Sequence, residues 1–256
     1  MTKKYTLVCN WKMEKILNDE LRFATSNLDK LINLTNSSPV NIVICPSFIS
    51  IYPLKNIFNG TKIEIGAQNC SNHLRGGFTG QISAQSLNEV ECKYCIIGHS
   101  ERRTYNKETD AEINQKFLHL IDFNINPILC IGENLEDTKS GQTLQILLSQ
   151  LEKVINSIKT LTNGAQLTLY ISYEPIWSIG SGLIPDIKHL ELVFAWLKNK
   201  LQNNINNFNF KLLYGGSVNE ENVLILKRIN DIDGFILGKS SLEFDSLKKI
   251  ISQLKD

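Results

Sequence analysis

Eight short apolar runs, separated by longer segments, constrain the fold of this chain more than any other feature. The runs are rich in Val, Ile and Leu and do not alternate with polar residues, which is typical of parallel strands buried on both faces. They are Thr6–Asn10, Asn41–Cys45, Lys62–Ala67, Tyr94–Gly98, Pro127–Ile131, Leu167–Tyr173, Lys211–Tyr214 and Gly234–Leu237. Eight such strands within 256 residues predict an α/β fold of the (β/α)8 barrel class, with residues 1–256 as a single domain.

Helical periodicity is clearest in the second half of the chain. Ile187–Asn204 has apolar residues at helical spacing, and Asp186 is its predicted N-cap. The same spacing predicts helices over Asp110–Phe123, Leu144–Ile158 and Asp245–Leu254. A doubly wound open sheet is the alternative fold, but it usually has a glycine fingerprint after its first strand, where this chain has Asn10-Trp11-Lys12.

The composition excludes several classes of partner. The net charge is +1, so no overall field attracts nucleic acid or an anionic membrane. No apolar run approaches the roughly 20 residues of a transmembrane helix, and the apolar stretch after Lys4 is too short for a signal peptide. Cys92-Lys93-Tyr94-Cys95 has the spacing of a metal or redox pair, but it lacks a second pair. We therefore expect a reduced, cytoplasmic protein with no metal site.

The segment Tyr173–Gly182 combines an acid at a strand end with a candidate lid. Pro175 holds Glu174 in an extended conformation because proline disfavours the helical region at the residue before it. The following residues pair bulky apolar side chains with Gly180 and Gly182, which favours a stiff flap with mobile ends. A carboxylate shielded from water by such a flap is suited to act as a general base.

Further polar groups follow the other predicted strands at the same end of the barrel. Asn10 and Lys12 follow the first strand, and His99 follows the fourth. Glycine- and serine-rich turns follow the seventh and eighth strands, at Gly215-Gly216-Ser217 and Gly238-Lys239-Ser240. Because barrel active sites lie where strands meet their following loops, we expect these groups to share one rim with Glu174.

In four motifs the chain resembles the triosephosphate isomerase family, and the motifs occur in that family's order. They are Asn10-Trp11-Lys12, Gly98-His99-Ser100-Glu101-Arg102-Arg103, Tyr173-Glu174-Pro175-Ile176-Trp177 and Tyr214-Gly215-Gly216-Ser217, with agreement also at Gly66-Ala67-Gln68-Asn69 and Cys130-Ile131-Gly132-Glu133. The similarity extends from about residue 5 to residue 254. It implies a TIM barrel that interconverts dihydroxyacetone phosphate and D-glyceraldehyde 3-phosphate, as in glycolysis and gluconeogenesis, without a cofactor or metal.

The resemblance also implies roles for individual residues. Glu174 removes the carbon-bound proton and His99 polarises the carbonyl. Lys12 offsets the negative charge of the phosphate and the enediolate, and Asn10 adds a hydrogen bond. Glu101 positions neighbouring groups.

The phosphate is expected to bind backbone N–H groups in the turns and the lid. The donors implied by the resemblance belong to Ser217, Gly238 and Lys239, with Gly180 added when the lid shuts. Lys239 stands where the family usually has a second glycine.

A homodimer is implied through the loop that contains Gly77, Phe78 and Thr79, with Thr79 reaching the neighbour's site. Gln81 replaces a glutamate that pairs in the family with the arginine matching Arg102, so we expect a somewhat weaker interface.

Two other functions stay open at the level of sequence. Phosphate-binding turns after strands seven and eight are widespread, so another phosphosugar isomerase on the same barrel is one alternative. A non-catalytic binding or surface-adhesion protein that has kept the fold is the other. The trio of Lys12, His99 and Glu174 favours enediol chemistry on a small substrate over both.

Overall fold

The computed structural model describes residues 3–161, 167–205 and 208–255. Its parallel strands close into a barrel in which each strand pairs with the next and the last pairs with the first. The strands are β1 Tyr5–Asn10, β2 Val40–Cys45, β3 Glu64–Ala67, β4 Tyr94–Ile97, β5 Asn126–Ile131, β6 Thr168–Tyr173, β7 Asn209–Tyr214 and β8 Gly234–Leu237. The predicted (β/α)8 barrel is confirmed, and the open-sheet alternative is wrong because β1 and β8 are hydrogen-bonded neighbours.

Each predicted strand is present, and the ends differ by at most two residues. The largest differences are at the starts of β3, which begins at Glu64 rather than Lys62, and β7, which begins at Asn209 rather than Lys211. The absence of polar alternation in the sequence has a direct cause. On β1, Val8 packs inside the barrel while Leu7 and Cys9 pack outward against the helices, so both faces are buried.

Helices surround the barrel. In the described ranges they are α1 Leu17–Asn36, α2 Ile51–Ile57, α3 Ala84–Glu89, α4 Ser100–Tyr105, α5 Asp110–Asp122, α6 Leu135–Lys139, α7 Thr143–Thr160, α8 Ile187–Gln202, α9 Val223–Leu226 and α10 Phe244–Gln253. The predicted N-cap of α8 is confirmed, since the Asp186 side chain accepts a hydrogen bond from the Lys188 N–H. None of these helices combines the length and the apolar character needed to cross a membrane.

The sequence reading did not identify the longest helix, α1. It is rich in Asn, Asp, Ser and Thr, which are weak helix formers, and its N-cap residue Ile16 offers no capping side chain. Its stability comes from tertiary packing of Phe23 and Leu31 and from the buried Glu20. The Glu20 carboxylate accepts bonds from the backbone N–H and the hydroxyl of Ser47, at 2.9 and 2.7 Å.

The six cysteines are free and buried. Burial raises the pKa of Cys92 to about 12, so its thiol is protonated at neutral pH. A protonated thiol is a poor nucleophile. The Cys92 and Cys95 pair therefore packs as part of the core.

Candidate active site

A cavity of about 510 Å³ opens at the carboxyl ends of the strands. Seven of the eight residues predicted for the site line it: Asn10, Lys12, His99, Gly180, Ser217, Gly238 and Lys239. Asn10 ends β1, and the others come from the loops after β1, β4, β6, β7 and β8, which the closed barrel brings to one rim. The eighth residue, Glu174, lies immediately behind the cavity wall.

Glu174 is only 1% exposed and packs against Gly215, which lines the cavity. Its Oε1 lies 3.3 Å from the Ser172 hydroxyl. Its Oε2 is buried, has no hydrogen-bond partner among the described residues, and lies 3.8 Å from Nε2 of His99. The carboxylate also contacts the Cys130 thiol, whose pKa is raised first by burial and then by the neighbouring negative charge. One carboxylate oxygen therefore remains available toward the imidazole.

The imidazole of His99 is oriented by the helix that follows it. His99 is the N-cap of α4, and its Nδ1 accepts a hydrogen bond from the Glu101 backbone N–H at 3.3 Å. In the tautomer that accepts this bond the proton of the neutral ring is on Nε2, while Nδ1 also lies 3.4 Å from Oε2 of Glu101. The Nε2–H therefore faces the side of the ring where Glu174 and the cavity lie.

Lys12 is held in place by its neighbours. Its Nζ lies 2.7 Å from Oε1 of Glu101, and its backbone has a φ of 50°, in the left-handed region. The Asn10 side chain accepts from the Lys12 N–H at 3.2 Å, while Gln68 donates to the Lys12 carbonyl at 2.8 Å. These bonds fix an uncommon backbone conformation, a type of strain that occurs at functional sites.

The predicted lid follows Glu174 as a short 3-10 turn, Ile176–Ser178, and an exposed tip. Gly180 and Gly182 have φ values of 67° and 78°, which residues with a Cβ rarely adopt, so both positions favour glycine. Trp177 anchors the first end of the lid by donating from Nε1 to the Thr138 hydroxyl at 3.1 Å.

Side-chain hydrogen bonds hold the phosphate-binding turns predicted after β7 and β8, one within the first turn and one between the two turns. The Ser217 carbonyl accepts from Nδ2 of Asn222 at 2.9 Å, and the Val218 carbonyl accepts from the Ser240 hydroxyl at 2.8 Å. Lys239 begins a 3-10 turn, Lys239–Ser241, and its side chain is exposed at the cavity rim.

Sequence reasoning assigned no role to Glu133, which organises the residues beneath the lid. It is buried, and its Oε1 accepts bonds from the hydroxyls of Tyr173 (2.9 Å), Thr138 (2.9 Å) and Thr143 (3.3 Å). Because Thr138 also binds Trp177, this carboxylate connects the end of β6, next to Glu174, to the start of the predicted lid. The only available signal was its place in Cys130-Ile131-Gly132-Glu133, at the end of a strand.

Comparisons with known proteins agree with this geometry. The family model described as triosephosphate isomerase matches residues 5–254. The triosephosphate isomerase of Buchnera aphidicola subsp. Baizongia pistaciae is 35% identical over 98% of this chain and 99% of its own length. The triosephosphate isomerase of Blochmanniella floridana is 36% identical over 98% of this chain and 95% of its own length. That of Aquifex aeolicus is 34% identical over 96% of this chain and 97% of its own length. The chain therefore belongs to the triosephosphate isomerase family.

Proposed function

We propose that this protein interconverts dihydroxyacetone phosphate and D-glyceraldehyde 3-phosphate by proton transfer through an enediolate, with Glu174 as the base. The observation that supports this most directly is the buried, unpartnered Oε2 of Glu174, 3.8 Å from His99 Nε2. A buried carboxylate oxygen without a hydrogen-bond donor is costly in free energy, which is a type of arrangement that points to a functional site. The proposed reaction belongs to glycolysis and gluconeogenesis and places the protein in the cytoplasm.

In the direction from dihydroxyacetone phosphate to D-glyceraldehyde 3-phosphate, Glu174 removes a proton from the carbon next to the carbonyl carbon. It then returns this proton to the former carbonyl carbon. The Nε2–H of His99 donates to the carbonyl oxygen and then moves protons between the two oxygens of the enediolate. The neutral tautomer suits this role because its proton lies on the nitrogen that faces the cavity. No redox cofactor or metal is required, since the hydrogen leaves and returns as a proton.

Lys12 and Asn10 bind the substrate and stabilise the developing negative charge. The ammonium of Lys12 is already fixed by Glu101, so little reorganisation is needed when the oxyanion forms. A preorganised donor of this kind contributes about 3–4 kcal/mol to lowering the barrier.

The phosphate binds to backbone N–H groups of Ser217, Gly238 and Lys239, and to Gly180 when the lid closes. All four residues line the same cavity as Lys12. The hydrogen bonds to the Ser217 and Val218 carbonyls support this assignment because they fix the turn before a ligand arrives.

We further infer a homodimer through the loop that contains Gly77, Phe78 and Thr79. The loops that follow β1, β2 and β3 are neighbours in the barrel and expose large apolar side chains. Met13 is 97% exposed, Ile49 68% and Phe78 41%. Several large apolar side chains exposed on neighbouring loops favour a protein interface there.

A coupled isomerisation assay in both directions, on purified protein dialysed against a chelator, tests the proposed reaction. We expect turnover of both triose phosphates without an added cofactor or metal. Turnover of a larger phosphosugar in their place would identify a different phosphosugar isomerase on this barrel. Binding of phosphate without turnover of any sugar would identify a non-catalytic relative.

A further inference from the structure

The Ser178 hydroxyl joins both ends of the lid tip to the turn after β7. Ser178 is fully buried, and its Oγ lies 2.7 Å from the Leu183 carbonyl, 3.0 Å from the Tyr214 hydroxyl and 3.2 Å from the Ser217 nitrogen. A hydroxyl donates one hydrogen bond and accepts two, so its capacity is fully used. Because the Leu183 carbonyl can only accept, Ser178 donates to it, and Tyr214 and Ser217 donate to Ser178.

The Tyr214 hydroxyl and the Ser217 N–H, which donate to Ser178, are each held as donors by their surroundings. Burial raises the pKa of Tyr214 to about 12, so its hydroxyl retains its proton at neutral pH. The Ser217 N–H belongs to a turn whose carbonyls are already bonded to Asn222 and Ser240. With the turn fixed in this way, the Ser217 N–H is directed at the Ser178 oxygen.

We infer that Ser178 is a positioning residue that accepts from the Ser217 N–H and yields this N–H to the phosphate of the substrate. This inference rests on the proposed function, in which that N–H binds phosphate. A charged phosphate oxygen is a stronger acceptor than a neutral hydroxyl, so the exchange is favourable. The bond to Ser178 must nevertheless break, and its loss reduces the net affinity for phosphate.

The exchange also reaches the lid, because the same hydroxyl holds Leu183 at the far end of the lid tip. When phosphate takes the Ser217 N–H, one of the three bonds that join Ser178 to its surroundings is lost. The bonds to Leu183 and Tyr214 are retained. Phosphate binding therefore removes one of the bonds that connect the lid tip to the turn after β7, without contact between the phosphate and Ser178.

Titration calorimetry with inorganic phosphate tests this role in wild-type protein and in the variants Ser178→Ala and Ser181→Ala. Ser181 is a matched control: its hydroxyl lies in the same lid and bonds to the Ser178 carbonyl and the Leu183 N–H. Removing the Ser178 hydroxyl frees the Ser217 N–H. We expect Ser178→Ala to bind phosphate about two- to tenfold more tightly than wild type, the equivalent of one net hydrogen bond. The KM for triose phosphate should fall by the same factor, whereas Ser181→Ala should match wild type.

The direction in which Ser178→Ala changes the affinity for phosphate separates this role from a structural one. Loss of packing would weaken binding, so unchanged or weaker phosphate binding by Ser178→Ala would overturn the inference. If the alanine variant does not fold, Ser178→Cys retains the size of the side chain with a weaker acceptor and should shift affinity in the same direction. Failure of the proposed function is seen separately, as wild-type protein that turns over no triose phosphate.

Discussion

The carbonyl oxygen of Glu174 lies where a side chain on Gly132 would begin, because a Cβ at residue 132 would lie only 1.8 Å from it. The ends of β5 and β6 are joined on either side of this contact. The Glu174 N–H donates to the Ile131 carbonyl at 2.7 Å, and the Ile176 N–H donates to the Glu133 carbonyl at 3.0 Å. The position of Glu174 along the barrel axis therefore depends on the absence of a side chain at Gly132, after the neighbouring strand.

Replacing Gly132 with alanine should displace the backbone of Glu174. We expect Gly132→Ala to lower kcat about 100-fold, since a shift of about 1 Å at a reacting group has a cost of this order. Gly60→Ala is the control: Gly60 has a φ of 74°, and nothing lies within 4 Å of the position that a Cβ would take there. That variant should lose thermal stability but keep kcat. Equal kcat values for the two variants would show that the contact at Gly132 does not position the base.

Glu174→Gln preserves the shape of the side chain and removes its ability to accept a proton. We expect kcat to fall by at least about 1,000-fold, in the upper part of the range for general-base catalysis. The melting temperature serves as the control and should stay close to the wild-type value. A decrease of less than tenfold in the coupled assay would remove Glu174 from the role of base.

The barrel predicted from the sequence is confirmed, and the residues predicted for the site lie in or beside one cavity, but the sequence did not predict how these residues are held. The strands were predictable because burial on both faces requires consecutive apolar residues, as at Leu7, Val8 and Cys9. The contact of Glu174 with Gly132 and the bond of Ser178 to Ser217 join segments about 40 residues apart. Such pairs depend on the register of neighbouring strands, which a local pattern does not specify.

Lys12→Met should remove the ammonium while leaving most of the side chain's length. Because this charge is preorganised by Glu101 at 2.7 Å, we expect kcat/KM to fall by about 100- to 1,000-fold or more. Inorganic phosphate should also bind more weakly. Lys15→Met is the matched control in the same loop, since its Nζ lies 4.0 Å from Glu243 and does not line the cavity. Similar activity in the two variants would contradict an electrostatic role for Lys12.

The start of α5 should make a pH-dependent contribution to stability. The Glu112 carboxylate accepts from the Thr109 backbone N–H and hydroxyl, each at 2.8 Å, and these bonds lower its pKa. A carboxyl whose pKa is lower in the folded state stabilises the protein above its unfolded pKa of about 4.3. That stabilisation is lost as the pH falls through the lower, folded value.

Urea unfolding of wild type and Glu112→Ala between pH 3 and pH 7 measures this contribution. The difference in unfolding free energy should be largest near neutral pH, at less than about 1 kcal/mol because solvent still reaches the group, and should shrink below about pH 4. Glu112→Gln retains an acceptor that does not titrate, so its difference from Glu112→Ala should vary less with pH. A wild-type advantage over Glu112→Ala that is constant across this range would contradict the assignment.

The proposed dimer gives a prediction that connects assembly to activity. Sedimentation of wild-type protein at micromolar concentration should give twice the chain mass of 29.0 kDa. Phe78 stacks on His73 with ring centroids 3.7 Å apart, and its exposed ring presents an apolar surface to a partner. We expect Phe78→Asp to be monomeric, because a buried unpaired carboxylate opposes association. Its kcat should fall, since Thr79 no longer reaches the neighbouring site. The control is Leu192→Asp, at an exposed position of α8 on the outside of the barrel, and it should remain dimeric.

A Phe78→Asp monomer with full activity would contradict the proposed link between assembly and activity. It would show that each barrel assembles its site without its partner.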